Sequence, residues 1–287
     1  MKTLKTIIFS DLDGTLLDHF TYQSTAVEHT LEQLIRADIP VILNTSKTFA
    51  ELAVIKHKLN FTTPFIVENG AAIYMPINTF DTQPADTVVI DNYWVKVFSL
   101  PRQHWLNLLS EHMQQFNPYY QGFSSLSASA LCKITGLSLT EAKRAKQRQF
   151  AEPLHWLGNE STKNAFVEHL IHFGAHVVQG GRFIHVGDDC DKGQALTWLT
   201  ERYREQFAHW SISTIALGDG KNDIAMLEAA DIAVQIRSPV HEFPIFSRQH
   251  QMTQTQLYGP EGWAAAIHKI LAHQLIAPSI NSEVKHG

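Results

Sequence analysis

The sequence predicts an α/β fold: a doubly wound, largely parallel sheet with a separate α+β cap domain inserted into it. Three observations predict it: short apolar runs alternate with helical spacings early in the chain, this alternation stops for about a hundred residues, and it then returns. We therefore assign residues 1–83 and 188–287 to a Rossmann-like core and residues 84–187 to the inserted domain. A chain of 287 residues is long enough to form two such domains.

The start of the chain alternates predicted strands and helices. Thr6-Ile7-Ile8-Phe9-Ser10 is a short apolar run that ends in a polar turn, as expected for a buried strand of a parallel sheet. The elements that follow are a helix over 24–37, a strand over Ile39–Leu43, a helix over Lys47–Leu59 and a strand over Pro64–Val67. The Asn69-Gly70 pair after this strand predicts a tight hairpin turn.

The middle of the chain is less regular, and the alternation resumes after it. In the middle we expect a strand near Val88, a helix over 102–116 and a helix from Glu141. From Asp191 onward we expect a helix over 192–206, a strand over 212–217, a helix over 221–229, a strand over 232–234 and a last helix over 261–273. The tail from Ala277 is expected to be frayed.

Composition argues against several classes of protein. The chain is 44% hydrophobic and 18% charged, which is typical of a folded globular protein and not of a disordered or fibrous one. Its net charge of -5 argues against nucleic acid as a partner. No apolar run approaches the ~18 residues of a spanning helix, so no membrane partner is expected. We interpret the two cysteines, Cys132 and Cys190, as small buried apolar residues of a cytoplasmic protein.

The first candidate site is Asp11-Leu12-Asp13-Gly14-Thr15, directly after the first predicted strand. The carboxylates of Asp11 and Asp13 can point the same way from an extended segment, and Gly14 allows a sharp turn beside them. Two like charges held this close require a cation, and carboxylate oxygens are ligands that Mg²⁺ prefers. The alternative interpretation is a solvated acidic turn.

A second acidic group, Gly218-Asp219-Gly220-Lys221-Asn222-Asp223, follows a later strand at the start of a predicted helix. Because ligands of open α/β sheets bind at the carboxyl ends of the strands, Asp219 is a candidate third metal ligand. Asn222 and Asp223 would then hold Asp219 or the metal-bound water from outside. The alternative is helix capping, since Asp and Asn are common at helix N-termini.

Two further segments combine hydroxyls or a lysine with a helix start. In Asn44-Thr45-Ser46-Lys47-Thr48 a strand end leads into a helix, so Thr45, Ser46 and free backbone N–H groups can bind a phosphate. Ser and Thr at this position are also common as helix caps. Lys192 opens a predicted helix, where a positive charge opposes the helix dipole, which favours either neutralisation of a bound anion or a plain surface lysine.

Three histidines, His169, His172 and His176, have a spacing close to that of one helix face. Such a face can bind a metal. With 16 histidines in the chain and no acidic residue beside these three, an exposed helix face is the preferred interpretation.

Taken together, the four segments around Asp11, Thr45, Lys192 and Asp219 appear in the order found in the haloacid dehalogenase superfamily of phosphohydrolases, which the chain resembles over nearly its whole length. The long insert is similar to the large cap of the sugar phosphatases in that superfamily. The strings Asn44-Thr45-Ser46-Lys47-Thr48, Pro64 to Ala71 and Phe150 to Trp156 most resemble the mannosyl-3-phosphoglycerate phosphatase family. Many sugar-phosphatase relatives have Thr-Gly-Arg where this chain has Thr45-Ser46-Lys47.

The resemblance implies a mechanism. It assigns Asp11 as nucleophile and Asp13 as general acid and base, with Mg²⁺ bound by Asp11, the backbone carbonyl of Asp13, and Asp219. It also implies that Thr45, Ser46 and Lys192 bind the phosphate of a small phosphorylated sugar or glycosyl-glycerate. Candidate specificity contacts are Arg182, Lys133 and the Glu68-Asn69 turn, although surface salt bridges explain Arg182 and Lys133 equally well.

Several functions are compatible with these residues. The first is hydrolysis of mannosyl-3-phosphoglycerate to mannosylglycerate and phosphate through an aspartyl-phosphate. The second is another sugar phosphatase, for example one that acts on sucrose phosphate. The third is a phosphotransferase similar to phosphomannomutase, and a non-catalytic sensor ranks last because both Asp11 and Asp13 are present. The sequence makes no prediction of oligomeric state.

Overall fold

The computed structural model describes residues 3–180 and 183–280. The chain forms two compact units: one comprises Met1–Asn44 and Leu196–Gly287, and the other comprises Thr45–Ala195. The first unit is therefore built from two separate stretches of the chain. The domain limits expected at residues 84 and 187 remain a prediction.

The strands of the described residues are short, and most are joined by helices or turns. In chain order they are β1 (Thr3–Ser10), β2 (Val41–Asn44), β3 (Phe65–Val67), β4 (Ala72–Pro76), β5 (Val88–Ile90), β6 (Tyr93–Val97), β7 (Tyr120–Gly122), β8 (Glu152–Trp156), β9 (His176–Gly180), β10 (Phe183–Gly187), β11 (Trp210–Gly218), β12 (Ile232–Arg237) and β13 (Met252–Tyr258).

The helices vary in length from two turns to six. They are α1 (Thr25–Arg36), α2 (Phe49–Lys58), α3 (Arg102–His112), α4 (Ala128–Thr135), α5 (Leu139–Ala145), α6 (Glu160–His172), α7 (Lys192–Gln206), α8 (Ile224–Ala229) and α9 (Gly259–Ile280). Among the described residues, none of these helices combines the length and the apolar character needed to cross a membrane.

The first unit is built on a parallel sheet with the strand order β13-β12-β11-β1-β2. Ile7, Ile8 and Phe9 of β1 have no exposed surface. Because successive side chains of a strand point to opposite faces, three consecutive buried residues mean that both faces of β1 are covered. Helix α9 also packs against α1, where Thr30 and His268 form a hydrogen bond of 3.1 Å. The predicted parallel α/β core is therefore confirmed.

In the second unit the strands pair antiparallel in two sheet regions. One has the order β3-β4-β6-β5 and the other the order β7-β8-β10-β9. Helices α3 and α6 pack on the second of these sheets through an apolar cluster that includes Trp105, Leu109, Phe116, Phe166, Leu170 and Ile184. Helices on an antiparallel sheet are the α+β component of the predicted fold.

Two predicted helix ends were wrong. The helix expected over 102–116 ends as α3 at His112 and continues as a 3-10 turn over Gln114–Tyr119. Pro118 lies in this turn, and a proline has no N–H group to continue an α-helix. The last helix begins at Gly259 and reaches Ile280, so the tail expected to fray at Ala277 is helical to that point, and the rest lies outside the described residues.

The histidine and cysteine predictions also need correction. His169 and His172 lie on α6, but His176 begins β9, because Gly174 with φ of +83° ends the helix between them. The His176 Nδ1 atom lies 3.3 Å from the Asp189 Oδ1 atom, so this histidine does have an acidic neighbour. Both cysteines are half-buried and not fully buried.

Candidate active site

The first two acidic segments meet because their strands are neighbours. Strands β1 and β11 are parallel, with Ser10 opposite Leu217, so Asp11 and Asp219 follow the two strands at the same edge of the sheet. The Asp11 N–H group donates to the Leu217 carbonyl oxygen at 2.9 Å, which extends the ladder by one bond. Parallel pairing thus brings together carboxylates from distant parts of the chain.

Three carboxylates form a buried cluster at this edge. One oxygen each of Asp11, Asp219 and Asp223 lies within 4.8 Å of the others, and all three residues are buried. Like charges gathered away from water are costly unless a cation compensates them. A set of carboxylate oxygens also matches the ligands that Mg²⁺ takes in proteins. The residues present therefore fit a divalent cation.

The loop after β1 is in contact with Asp219. The Thr15 hydroxyl donates to the Asp219 Oδ1 atom at 3.3 Å. Gly14 has φ of +78°, and a Cβ atom added there would lie 2.7 Å from the Asp219 Oδ2 atom. Glycine is therefore required at this position both for its conformation and for the close approach of the loop to the carboxylate.

The remaining acidic-segment residues lie beside the cluster. Asp13 is half-buried in the same loop as Gly14, and Asn222 is exposed in the 3-10 turn Lys221–Asp223. The Asp223 Oδ2 atom accepts a hydrogen bond of 2.9 Å from the Gly220 N–H group. Asp223 therefore caps this turn, and one of its carboxylate oxygens lies within 4.8 Å of those of Asp11 and Asp219.

A hydrogen-bonded pair that the sequence analysis missed holds the end of β1. The Ser10 hydroxyl donates to the Asp11 carbonyl oxygen at 2.7 Å and accepts from the Trp263 indole N–H at 3.0 Å. Ser10 and Trp263 have no exposed surface. Helix α9 therefore fixes the backbone of Asp11, and no spacing in the sequence indicates a contact between residues so far apart.

The phosphate-binding candidates lie in the second unit. Thr45 is buried, its Oγ1 atom accepts from the Lys47 N–H at 3.2 Å, and its carbonyl oxygen accepts from the Asn69 N–H at 2.9 Å. Half-buried Ser46 accepts at its carbonyl oxygen from the Arg148 Nη2 group at 3.1 Å. Lys192 has no exposed surface, so the plain surface lysine is excluded.

The Glu68–Gly70 turn joins these phosphate-binding candidates to one another. Gly70 has φ of +98°, and a Cβ atom there would lie 2.1 Å from the Asp191 carbonyl oxygen and 2.9 Å from the Lys192 nitrogen. Since Asn69 bonds to Thr45, the predicted hairpin turn brings the Thr45 and Lys192 segments of this unit to the same place.

Glu68 is a buried structural residue that the sequence analysis considered only as a substrate contact. Its carboxylate accepts N–H bonds from Gln149, Phe150 and Ala151 at 2.7, 3.3 and 3.1 Å. It also lies 3.3 Å from the Arg148 Nε atom. Of the other specificity candidates, Lys133 is exposed on α4 and Arg182 lies outside the described residues.

A cavity of about 30 Å³ in the second unit is lined by several titratable side chains. Its lining includes Glu68, Asn69, His176, His185, Asp188 and Cys190. Burial, together with the nearby Asp188 carboxylate, raises the pKa of Cys190 to about 12. The thiol therefore stays protonated near neutral pH, which makes Cys190 a poor nucleophile.

Comparison with known proteins agrees with this arrangement. A family model for haloacid dehalogenase-like hydrolases matches residues 8–242. A glucosyl-3-phosphoglycerate/mannosyl-3-phosphoglycerate phosphatase of Methanococcoides burtonii is 38% identical over 93% of this chain and 98% of its own length. A phosphatase of the same name from Persephonella marina is 29% identical, covering 92% of this chain and 97% of its own. A crystal structure from Thermoplasma acidophilum superposes with a TM-score of 0.63 at 14% identity, covering 93% and 98% of the two chains.

Proposed function

Because the chain belongs to the family of haloacid dehalogenase-like hydrolases and is a phosphoric monoester hydrolase, we propose that it hydrolyses mannosyl-3-phosphoglycerate to mannosylglycerate and phosphate. The observation that supports this proposal most directly is the buried cluster of Asp11, Asp219 and Asp223 at the ends of neighbouring strands. The names of the two relatives, which match this chain over nearly its whole length, support this substrate.

In the proposed reaction Asp11 is the nucleophile. Its carboxylate oxygen attacks phosphorus, the bond from phosphorus to the glycerate oxygen breaks, and Asp13 supplies the proton that this oxygen needs. Water then attacks the aspartyl-phosphate, Asp13 takes the proton of that water, and inorganic phosphate leaves. The bond from the Asp11 N–H to β11 and the Ser10–Trp263 pair support this role, because they fix the backbone from which the nucleophile projects.

The proposed metal ligands are the side chains of Asp11 and Asp219 and the backbone carbonyl of Asp13. Asn222 and Asp223 would hold these ligands or their water from outside. When bound, Mg²⁺ would supply positive charge that offsets the repulsion between the Asp11 carboxylate and the phosphoryl group. The carboxylate cluster supports this assignment, because its buried oxygens suit a hard divalent cation.

Thr45, Ser46 and Lys192 are proposed to hold the phosphoryl oxygens. Thr45 directly follows Asn44, the last residue of β2. Strand β2 pairs with β1, which is the strand that precedes Asp11. Lys192 is the first residue of α7, where its buried ammonium group can neutralise an anion. The proposal includes a cytoplasmic location, which is consistent with the free cysteines Cys132 and Cys190.

The experiment measures phosphate release from mannosyl-3-phosphoglycerate, glucosyl-3-phosphoglycerate, sucrose phosphate and mannose phosphates, each with Mg²⁺ and with chelator. We expect the highest kcat/KM on mannosyl-3-phosphoglycerate, and no phosphate release from any substrate after chelation. The variant Asp11→Asn is the inactive control. Turnover of another monoester, without turnover of mannosyl-3-phosphoglycerate, would overturn the proposed substrate but not the assignment of the catalytic residues. Phosphoryl transfer between sugar positions without release of phosphate would indicate a mutase.

A further inference from the structure

Both carboxylate oxygens of Asp219 are in contact with neighbouring side chains in the first unit. The Thr15 hydroxyl donates to Oδ1 at 3.3 Å. The His241 Nε2 atom lies 3.3 Å from Oδ2. The Asp219 side chain is 7% exposed and that of His241 is 40% exposed, so the histidine reaches a buried carboxylate from the solvent side.

His241 lies in the loop after β12, and this loop is attached to the unit at its far end. The buried Gln235 side chain donates to the Pro244 carbonyl oxygen at 2.6 Å. Gln254 donates in turn to the Gln235 Oε1 atom at 2.9 Å, which ties the anchor to β13. The segment that contains His241 is therefore fixed at both ends, by β12 before it and by the bond at Pro244 after it.

The orientation of the imidazole ring is also constrained. The His241 Nδ1 atom lies 3.0 Å from the Glu242 carbonyl oxygen, so the ring has an oxygen neighbour at each nitrogen. A carboxylate oxygen only accepts hydrogen bonds, so an N–H group at Nε2 suits this contact. Thr15 and His241 lie at different oxygens of the Asp219 carboxylate, and contacts at both oxygens oppose its rotation.

We propose that His241 is a positioning residue that holds the Asp219 carboxylate in the orientation needed to bind a divalent cation. This inference rests on the proposed function, because it takes Asp219 as a metal ligand. His241 touches Asp219 and is assigned no contact with substrate. Side chains that hold a metal ligand from outside commonly change metal affinity by about 10- to 100-fold when they are removed.

The test is calorimetric titration of the purified full chain with MgCl₂ in the absence of substrate. His241→Phe keeps an aromatic ring of similar size without an N–H donor, and His241→Gln restores a donor. The matched control is His250→Phe, which makes the same change at an exposed histidine in the same unit. We expect His241→Phe to weaken Mg²⁺ binding by about 10-fold or more. His241→Gln should recover part of this loss, and His250→Phe should bind as the unchanged protein does.

A kinetic readout separates positioning from a general loss of structure. With His241→Phe, the Mg²⁺ concentration for half-maximal activity should rise by a similar factor, while kcat at saturating Mg²⁺ is largely recovered. Equal or tighter Mg²⁺ binding by His241→Phe would overturn this inference and leave the proposed function standing. If the unchanged protein bound no Mg²⁺, both would fail. If His241→Phe did not fold, His241→Gln would decide: a loss of Mg²⁺ affinity of about 10-fold or more despite its donor would overturn the inference.

Discussion

Asp11 and Asp18 are carboxylates on either side of one loop, but their surroundings differ. Asp11 is buried beside Asp219 and Asp223. Asp18 accepts bonds from the Thr21 N–H and hydroxyl, both at 2.8 Å, and these bonds lower its pKa. We expect Asp11→Asn to lower kcat by about 10⁴-fold or more, since it removes the nucleophile. Asp18→Asn should keep most of the activity in the same phosphate-release assay, and equal effects of the two changes would contradict the assignment.

At Gly14, substitution tests the close approach of the loop to Asp219. Gly14→Ala adds a Cβ atom that would lie 2.7 Å from the Asp219 Oδ2 atom, at a backbone with φ of +78°. Gly136→Ala is the control, because Gly136 has φ of +82° and no atom within 4 Å of an added Cβ. Both changes carry a backbone cost of about 1 kcal/mol or more. Only Gly14→Ala should also weaken Mg²⁺ activation, and an effect of equal size in Gly136→Ala would contradict this.

The buried imidazole of His185 predicts a loss of stability in acid. Burial, together with the nearby Arg148 charge, lowers the pKa of His185 from its usual value of 6.5 to about 3. Below pH 6.5 the unfolded chain therefore takes up a proton that the folded protein does not, and the free energy of unfolding falls until the pH approaches 3. The contribution is at most about 1.4 kcal/mol per pH unit.

Urea unfolding between pH 7 and pH 4 measures this slope. His185→Gln should make the slope shallower, whereas His172→Gln, at an exposed position on α6, should leave it unchanged. An identical slope in His185→Gln would show that other groups cause the acid sensitivity.

Among the elements, the turn between β3 and β4 is bonded to several distant segments of its unit. Glu68 accepts three backbone N–H bonds and pairs with Arg148 in the interior. Glu68→Gln keeps the shape but leaves the Arg148 guanidinium without its counter-ion, so we expect a loss of about 3–5 kcal/mol in the free energy of unfolding.

An exposed ion pair provides the comparison. Arg36 and Glu32 lie one turn apart on α1 at 3.4 Å, with side chains 75% and 61% exposed. Because solvent screens such a pair, Glu32→Gln should cost less than about 1 kcal/mol. Denaturant unfolding of both variants tests the difference, and comparable losses would refute the structural importance of the buried pair.

How far the elements could be predicted depends on burial. Helix α7 has the predicted bounds, and β1 was found because its central residues are apolar and buried on both faces. Strand β13 was missed because it is an edge strand of alternating Thr and Gln with no fully buried residue. Strands β9 and β10 lack a long apolar run, and they are defined only by pairing, β10 with β8 and β9 with β10.

For the whole molecule, some contacts of the candidate site could be predicted from the sequence and others could not. Asp11 and Asp219 could be predicted to meet, because parallel strands place their carboxyl ends at one edge. The Ser10–Trp263 bond, the Glu68–Arg148 pair and the approach of His241 could not be predicted. Each depends on how distant segments pack, and none has a characteristic spacing in the chain.

If Asp11 attacks phosphorus, a covalent phosphoryl-enzyme forms during turnover, and this intermediate can be trapped. Asp13→Asn with p-nitrophenyl phosphate is the suitable combination, because this leaving group needs no proton, whereas hydrolysis of the aspartyl-phosphate needs Asp13 to take a proton from water. Acid quenching during turnover, followed by peptide mass spectrometry, locates the phosphoryl group. We expect phosphate on the peptide that contains Asp11 and none in Asp11→Asn. A phosphoryl group on another residue, or product release with no protein-bound phosphate at any time, would contradict it.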